Sequence, residues 1–341
     1  MRLGLILAAT AIPVLFATGA RPGTDAGRSI AQPPATRWRL DVEGVGVDKE
    51  TLAYKRVGSC ALLADVYTLP QAKGAPTLVW IHGGALIWGS RTSLPSWQLA
   101  LYARAGFQVV AIDYRLAPET HLDQLVGDVE DAFRWLRAHG PRLGLDPRRV
   151  GVVGYSAGGY LALLTGHRVR PRPRALVSMY GYGDILGDWS VKPDAHYGQE
   201  PAVPAGAARA VVGKTGTITE AKRDERWSFY LYCRQQGLWT REVAGRDPAR
   251  ESAWFEPFCP ALQVDRQYPP TLLLHGDEDT DVPFAQSLLM DERLTRYQVP
   301  HELLRMRGYG HAFDRSGNGL DDPKIKEAFQ EVLDFLRGHL R

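Results

Sequence analysis

Cysteine is scarce in this sequence, and the short motifs that hold metals or redox cofactors are missing. Only 3 of the 341 residues are cysteines, and neither Cys-x-x-Cys nor His-Glu-x-x-His occurs. Those spacings place several ligands on one metal ion or two thiols side by side. The sequence therefore indicates no metal site, and we expect the protein to work without a cofactor.

An excess of charge of one sign is also missing. The 41 Lys and Arg residues nearly balance the 38 Asp and Glu residues, which leaves a formal net charge of +3. Nucleic-acid-binding proteins need a basic patch, and no long basic run occurs here, so we expect no nucleic-acid partner. With 45% hydrophobic and 23% charged residues, the composition is that of a globular chain.

No hydrophobic run is long enough to predict a stable membrane span. Residues 3–16 are uncharged and mostly apolar, but as a helix they would extend about 21 Å against a hydrocarbon core of about 30 Å. Arg2 precedes this run and small residues follow at 18–20, a pattern typical of a secretory signal. We therefore predict a signal peptide over residues 1–20, with a buried helix as the alternative. We also predict a disordered lead-in over 21–36 and export of the protein to the periplasm or the medium.

The hydrophobic pattern from residue 37 onwards predicts an α/β protein. Alternation with period two predicts antiparallel strands at 38–42, 52–57 and 60–67. Continuous apolar runs predict buried strands at 77–81, 107–112, 150–154, 175–180, 271–275 and 301–306. Helical patterns lie between them at 96–105, 125–139, 157–166 and 283–297, and from 323 to the end. Buried strands that alternate with helices predict a mostly parallel sheet with helices on both faces.

The alternation stops between about residues 181 and 268. This stretch is rich in Gly, Pro, Trp and Tyr and contains one predicted helix, 219–236. We interpret it as a cap inserted into a single domain that spans residues 37–341.

The three cysteines are an odd number, so at most one disulfide can form within the chain. We predict a bridge between Cys233 and Cys259, because both fall in the cap. Cys60 lies in an apolar strand-like segment, and we expect a buried, inert thiol there.

The strongest catalytic signal follows the predicted strand 150–154. Gly154-Tyr155-Ser156-Ala157-Gly158 has the form Gly-x-Ser-x-Gly between a strand and a helix. Glycines at these places let the neighbouring backbone close around a sharp, strained turn. Such a turn presents Ser156 at the carboxyl end of the sheet. An N-cap serine at a glycine-rich helix start is the alternative, but the strand-turn-helix context favours a nucleophile.

A serine nucleophile needs a base, and His311 is our candidate. It follows the predicted strand 301–306 in Gly308-Tyr309-Gly310-His311, where the glycines let a loop carry the imidazole over the sheet edge. The base in turn needs an acid that lies between serine and histidine in the chain. Four acids crowd the turn after strand 271–275, and chemistry alone does not choose among them: Asp277, Glu278, Asp279 and Asp281.

Acyl transfer also needs N–H donors where negative charge develops on the acyl oxygen. His82-Gly83-Gly84-Ala85 follows the predicted strand 77–81, and its small side chains let the backbone approach a substrate. We predict an oxyanion hole formed by the N–H groups of Gly84, Ala85 and Ala157. Gly83 is the alternative donor.

Together these motifs resemble the α/β-hydrolase superfamily, and within it the hormone-sensitive-lipase-like carboxylesterases and the bacterial feruloyl- and acetyl-xylan-esterase-like deacylases. The resemblance begins near residue 63 and covers nearly all of the chain after it. In the family turn His-Gly-x-x-Asp-x-x-Val-Pro the acid falls on Asp279, so the resemblance implies Asp279 as the acid of the triad. In the lipase-like group a glycine and an acidic residue are usual where this chain has Ala85 and Tyr155. At these two positions the chain is more similar to the feruloyl-esterase, acetyl-xylan-esterase and formamidase-like relatives.

The predicted function is hydrolysis of a carboxylic ester, of small or medium acyl length, through an acyl-serine intermediate. We expect most aromatic residues of the cap to form its own core, with Trp88 and Trp189 facing the substrate. A serine peptidase of the prolyl-oligopeptidase-like type is one alternative, and a non-catalytic binding protein with a hydrolase fold is another. The presence of serine, acid and histidine in the required order favours an enzyme.

Overall fold

The structure is a computed structural model that describes residues 37–214, 216–315 and 319–341. The predicted signal peptide, residues 1–20, and the predicted lead-in, residues 21–36, lie outside the described residues. Within the described ranges, no helix is both long enough and apolar enough to cross a membrane.

One sheet of nine strands runs through the described part of the chain, in the spatial order β1-β2-β3-β5-β4-β6-β7-β8-β9. The strands are β1 Arg37–Val42, β2 Val45–Val57, β3 Cys60–Thr68, β4 Pro76–Ile81, β5 Gln108–Ile112, β6 Asp146–Tyr155, β7 Ala175–Met179, β8 Thr271–Gly276 and β9 His301–Met306. The pairs β1–β2, β2–β3 and β3–β5 are antiparallel. All other pairs are parallel. This mostly parallel sheet confirms the predicted fold class.

Helices follow the strands as the sequence pattern predicts. In the described residues they are α1 Ser96–Arg104, α2 Leu122–His139, α3 Ala157–Arg168, α4 Asp188–Val191, α5 Ala205–Arg209, α6 Arg223–Gln236, α7 Trp239–Ala244, α8 Ser252–Phe255, α9 Ala285–Arg296 and α10 Pro323–His339. Helix α6 begins four residues later than predicted. The reason is tertiary, because Ala221 pairs with Gly89 in an isolated β-bridge instead of entering the helix.

Both faces of the sheet are buried, which explains the continuous apolar runs in the sequence. Side chains along a strand point alternately to the two faces. In β8, Leu272 and Leu274 join the core cluster that contains α1 and α10, whereas Leu273 joins the cluster that contains α2, α3 and α9. All three leucines are at most 1% exposed. A strand with no solvent-facing side cannot show polar alternation.

Helices α4 to α8 all lie between β7 and β8, in the stretch predicted as a cap. A buried ion pair fastens them to the α/β layer. Arg226 of α6 donates to the two carboxylate oxygens of Glu119 at 2.7 and 2.8 Å, and these side chains are only 7% and 3% exposed. Arg226 also donates to the carbonyl of Ala117 at 3.1 Å. Both partners of Arg226 belong to the loop between β5 and α2.

The predicted disulfide is wrong, since Cys233 and Cys259 are both buried free thiols. Cys233 lies on α6, where the charges of Glu242 and Arg209 act on its thiol. The Sγ atom of Cys259 instead lies 4.0 Å from Oδ1 of Asp184. The two side chains therefore face different neighbours. Burial raises the pKa of Cys259 to about 12, and it also raises the pKa of Cys233, so neither thiol is poised to react. Cys60 is half-buried rather than buried.

Candidate active site

The turn between β6 and α3 is a strained elbow with Ser156 at its corner. Ser156 has φ 54° and ψ −123°, a backbone conformation that residues with a side chain rarely adopt. Its N–H donates to the carbonyl of Met179 at 2.8 Å, which ties the elbow to β7. A Cβ atom at Gly154 would lie 2.1 Å from the carbonyl oxygen of Gly158, and one at Gly158 would lie 2.1 Å from that of Ile81. Only glycine fits at both positions of the motif.

A row of hydrogen bonds joins Ser156, His311 and Asp279. Nε2 of His311 lies 3.0 Å from Oγ of Ser156, and Nδ1 lies 2.6 Å from Oδ2 of Asp279. Each side chain follows a different parallel strand: β6, β9 and β8. Because the carboxyl ends of parallel strands meet at one edge of a sheet, residues 155 positions apart come into contact there. The arrangement can remove the proton from the serine hydroxyl.

Asp279 is the acid of the turn that contacts His311 through Nδ1. Its other oxygen, Oδ1, accepts the N–H groups of Asp281 and Val282, each at 2.8 Å. Of the remaining acids, Asp277 accepts a hydrogen bond from Nε of Arg305 at 2.8 Å, and Glu278 is exposed. The fourth, Asp281, lies on the other side of the imidazole, with Oδ2 at 3.5 Å from Nε2 of His311.

His275, which the sequence placed only at a strand end, is a second imidazole on the same carboxylate. Nε2 of His275 lies 3.1 Å from Oδ2 of Asp279 and 3.0 Å from the carbonyl oxygen of Val282. Because a carbonyl only accepts, this nitrogen carries the ring proton. The other nitrogen, Nδ1, lies 2.7 Å from the hydroxyl of Ser287. His275 therefore helps to hold the Asp279 carboxylate in position.

The contacts shift the protonation equilibria of the row in opposite directions. Burial opposes the ionised form of Asp279, yet hydrogen bonds from His275 and His311 hold the pKa of this carboxyl far below its ordinary value. Burial likewise opposes the charged form of His311, but the carboxylates of Asp281 and Asp279 outweigh it and raise the pKa of His311. The site therefore contains an ionised acid beside a base that accepts a proton readily.

The loop after β4 directs two of its N–H groups away from its own interior. The carbonyl of Gly84 accepts the N–H groups of Ile87 and Trp88 at 2.8 and 2.9 Å, and the carbonyl of Gly83 accepts Nδ1 of His82 at 2.8 Å. In a trans peptide the N–H points opposite to the C=O. The N–H groups that share these two peptides, those of Gly84 and Ala85, therefore point to the opposite side of the loop.

Conformation and packing hold this loop in place. Gly84 has φ +111°, and a Cβ atom there would lie 2.1 Å from the carbonyl oxygen of Trp88. Ala85 itself has φ 52°, and its carbonyl accepts the indole N–H of Trp239 at 3.0 Å. His82 is fully buried and stacks on Tyr114 with 4.1 Å between ring centroids. Burial lowers the pKa of His82 to about 4, so this ring is neutral and structural.

A cavity of about 930 Å³ opens above the elbow, and five of the predicted site residues line it. Its lining includes Ser156, His311, Gly84, Ala85 and Trp88. The cap contributes a wall of rings and a charged rim: Tyr197, Trp227, Tyr230, Glu220, Lys222, Arg223 and Asp224. Ala157, the third predicted donor, directly follows Ser156 as the first residue of α3 and is fully buried.

Trp189 does not line this cavity, so the expectation that it faces the substrate is corrected. Its ring packs instead on Tyr182 and Trp239, at centroid distances of 5.2 and 5.6 Å, inside the cluster that joins α4 and α7. The sequence signal for the two tryptophans is the same, and only tertiary structure separates them.

Arg315 also lines the cavity, and no motif in the sequence predicts it. Its guanidinium lies 3.5 Å from the centroid of the Tyr155 ring, and it donates weakly to the carbonyl of Ser93 at 3.3 Å. Tyr155 and Ser93 also line the cavity. The cavity wall therefore contains a cation above an aromatic face that stabilises it.

Across residues 37–214, 216–315 and 319–341, no group of three or more His, Cys, Asp or Glu side chains is arranged to hold a metal ion. The chemistry that the described geometry supports is transfer of a proton from the hydroxyl of Ser156 to His311.

Comparison with known families places this chain among the α/β-hydrolase esterases. The model of the family described as BD-FAE matches residues 64–294, more than half of the chain. The model of the dienelactone hydrolase family matches residues 251–340.

Curated relatives match most of this chain but only part of their own length. Esterase LipC of Mycobacterium tuberculosis is 31% identical over 261 residues, which are 74% of this chain and 57% of that protein. The non-reducing polyketide synthase adrD of Penicillium rubens is 27% identical over 343 residues, 86% of this chain but only 14% of the synthase.

Solved structures share the fold at low sequence identity. A Staphylococcus aureus protein of unknown function has a TM-score of 0.70 at 21% identity, covering 85% of this chain and 99% of its own. Carboxyl esterase 2 of Tuber melanosporum has a TM-score of 0.63 at 22% identity, covering 86% and 88%. An Enterococcus faecalis protein of the α/β hydrolase superfamily also scores 0.63 at 22% identity, covering 85% and 98%. These likenesses show the α/β-hydrolase fold.

Proposed function

Because the chain belongs to the BD-FAE family and is an α/β hydrolase of the carboxylesterase type, we propose that it hydrolyses small-molecule carboxylic esters through an acyl-serine intermediate. The observation that carries the proposal is the hydrogen-bonded row of Asp279, His311 and Ser156, of which His311 and Ser156 line the cavity. Ser156 is the nucleophile, His311 the general base and Asp279 the acid that orients the imidazole.

Acylation follows from the distances. Oγ of Ser156 attacks the carbonyl carbon of the ester while its proton passes to Nε2 of His311, 3.0 Å away. The carbonyl oxygen becomes an oxyanion, and the N–H groups of Gly84, Ala85 and Ala157 stabilise it. The tetrahedral intermediate collapses as Nε2 gives the proton to the departing alcohol oxygen, which leaves the acyl group on Ser156.

Deacylation repeats the sequence with water. His311 removes a proton from a water molecule, the hydroxide attacks the acyl carbon, and the proton returns to Oγ of Ser156 as the carboxylic acid leaves. Each half-reaction returns the histidine to its neutral form. Neither half-reaction calls on a metal ion or a redox group.

The lining of the cavity supports small or medium acyl groups. Trp88 forms edge-to-face contacts with Tyr230 and Trp227, at centroid distances of 5.2 and 6.4 Å, so the aromatic wall near the elbow is made of rings that fix one another. Charged residues at the rim favour a polar leaving alcohol.

We also propose that the protein is exported, and this proposal rests on the sequence of residues 1–20 alone.

A panel of p-nitrophenyl esters from acetyl to palmitoyl tests the proposal, with the Ser156→Ala variant beside the wild type. We expect turnover that declines with long acyl chains and disappears in the variant, whose melting temperature should match that of the wild type. Turnover of peptide p-nitroanilides without ester turnover would instead indicate a peptidase. Ester turnover that persists in Ser156→Ala would overturn the assignment of the nucleophile.

A further inference from the structure

A second carboxylate lies beside the imidazole, and the triad does not account for it. Oδ2 of Asp281 is 3.5 Å from Nε2 of His311, the nitrogen that also faces Oγ of Ser156. Asp279 faces the other nitrogen. The imidazole therefore has a carboxylate on each side, and the one at Nε2 lies where the proton arrives during catalysis.

Two residues of the cap helix α6 hold Asp281 in this position. Oδ1 of Asp281 accepts the hydroxyl of Tyr230 and Nη1 of Arg234, the latter at 2.9 Å. Arg234 also donates to the main-chain carbonyl of Asp281 at 3.0 Å and, through Nη2, to Asp194 at 2.6 Å. Its side chain is only 2% exposed. The hydroxyl of Tyr197, also in the cap, interacts with the same carboxylate. Oδ2 of Asp281 faces the histidine.

We propose that Asp281, held by α6, is a positioning residue that sets the basicity of His311. This inference rests on the proposed function. At 3.5 Å from Nε2, Asp281 is too far for a good hydrogen bond, so the shorter contact to Ser156 remains and the carboxylate acts through its charge. That charge stabilises the imidazolium that forms when the serine loses its proton. The cap thereby contributes to the chemistry as well as to the cavity wall.

Besides Asp281, the carboxylates of Asp279 and Asp314 act on the charge of His311. Asp279 contributes a fixed negative charge at Nδ1. Tyr180 meets the imidazole edge-on at 4.9 Å and donates its hydroxyl to Asp314 at 2.5 Å. These contacts are the same with or without a charge on residue 281. A change in titration after Asp281→Asn therefore reports on Asp281.

The test is the pH dependence of kcat/KM for p-nitrophenyl acetate in the wild type and in Asp281→Asn. Removing the negative charge lowers the pKa of His311, so the acid limb of the profile should move to lower pH. We expect a shift of about one pH unit, which is small for the effect of a nearby charge on a pKa, because Arg234 partly neutralises the carboxylate. Glu278→Gln is the matched control, since it removes an exposed charge from the same turn and should leave the limb in place. A merely structural role for Asp281 would lower kcat at every pH and leave the limb at the wild-type position, which would overturn the proposal.

A second measurement separates this inference from the proposed function. The imidazole NMR signals of His311, identified by their loss in His311→Gln, can be titrated in the Ser156→Ala protein with and without Asp281→Asn. A lower titration midpoint in the double variant supports the role of Asp281 even where ester turnover is absent. An unchanged midpoint overturns it even where ester turnover is found.

Discussion

Replacing Asp279 with Asn should lock His311 in the wrong tautomer. Two backbone N–H groups donate to Oδ1 at 2.8 Å, so the amide oxygen of an Asn side chain would take that position. The NH2 group would then face Nδ1 of His311, where Oδ2 now lies at 2.6 Å. Because an amide NH2 only donates, Nδ1 would have to accept, and the ring proton would move to Nε2.

A protonated Nε2 cannot take the proton of Ser156. In a Ser-His-Asp triad this exchange of tautomer lowers kcat by about 10⁴-fold, which corresponds to about 5.5 kcal/mol in activation free energy. We expect a loss of this size because the two backbone donors prevent the amide from flipping. The fold should persist, since Asn has nearly the same volume as Asp and keeps both of those hydrogen bonds. The N–H of His275 would lose its acceptor at Oδ2 but keep the carbonyl of Val282 at 3.0 Å.

The assay is kcat for p-nitrophenyl acetate at neutral pH, with Glu278→Gln as the control from the same turn and the melting temperature as the check on folding. The control should retain wild-type turnover. If folded Asp279→Asn kept kcat within about tenfold of the wild type, the acid would not be orienting the base as this geometry requires.

Three further predictions concern the pH dependence of the rate, the ion pair that holds the cap, and the residues that line the cavity. The wild-type rate should fall as the pH drops through the raised pKa of His311, because only the neutral imidazole can act as base, and a flat profile across this range would contradict that assignment. Glu119→Gln should reduce the free energy of unfolding in urea by about 3 kcal/mol, since it leaves the buried guanidinium of Arg226 without its charge partner; a change near zero would show that this pair does not fasten the cap. Trp88→Ala should change KM along the acyl-length series far more than Trp189→Ala does, because only the former residue lines the cavity, and equal effects would argue against this pocket.

The parts of the site that are read from short segments could be predicted from the sequence. The elbow at Ser156 and the loop at His311 each combine a strand end, glycines and one reactive side chain within a few residues. Backbone strain at Ser156 and close approach at Gly154 and Gly158 explain why the motif has this composition. The sheet was predictable for the same reason, since strands buried on both faces produce continuous apolar runs.

The parts that depend on distant contacts could not be predicted. Residue chemistry alone does not choose among the four acids of the turn, and Asp279 was implied only by the family resemblance. That Asp279 faces Nδ1 of His311 while Asp281 faces Nε2 is visible only in the fold. Aromatic content likewise did not separate Trp88, which lines the cavity, from Trp189, which packs inside the cap. The cap has no repeating pattern that fixes how its helices pack, so its contacts follow from tertiary structure alone.

If Ser156 is the nucleophile that carries the acyl group, a serine-directed fluorophosphonate should modify it covalently. The intact protein and its peptides should be weighed by mass spectrometry after exposure to the reagent, for the wild type and for Ser156→Ala. We expect one adduct per wild-type chain, located on the peptide that contains Ser156, and none on the variant. Labelling at another residue, or equal labelling of the variant, would contradict it.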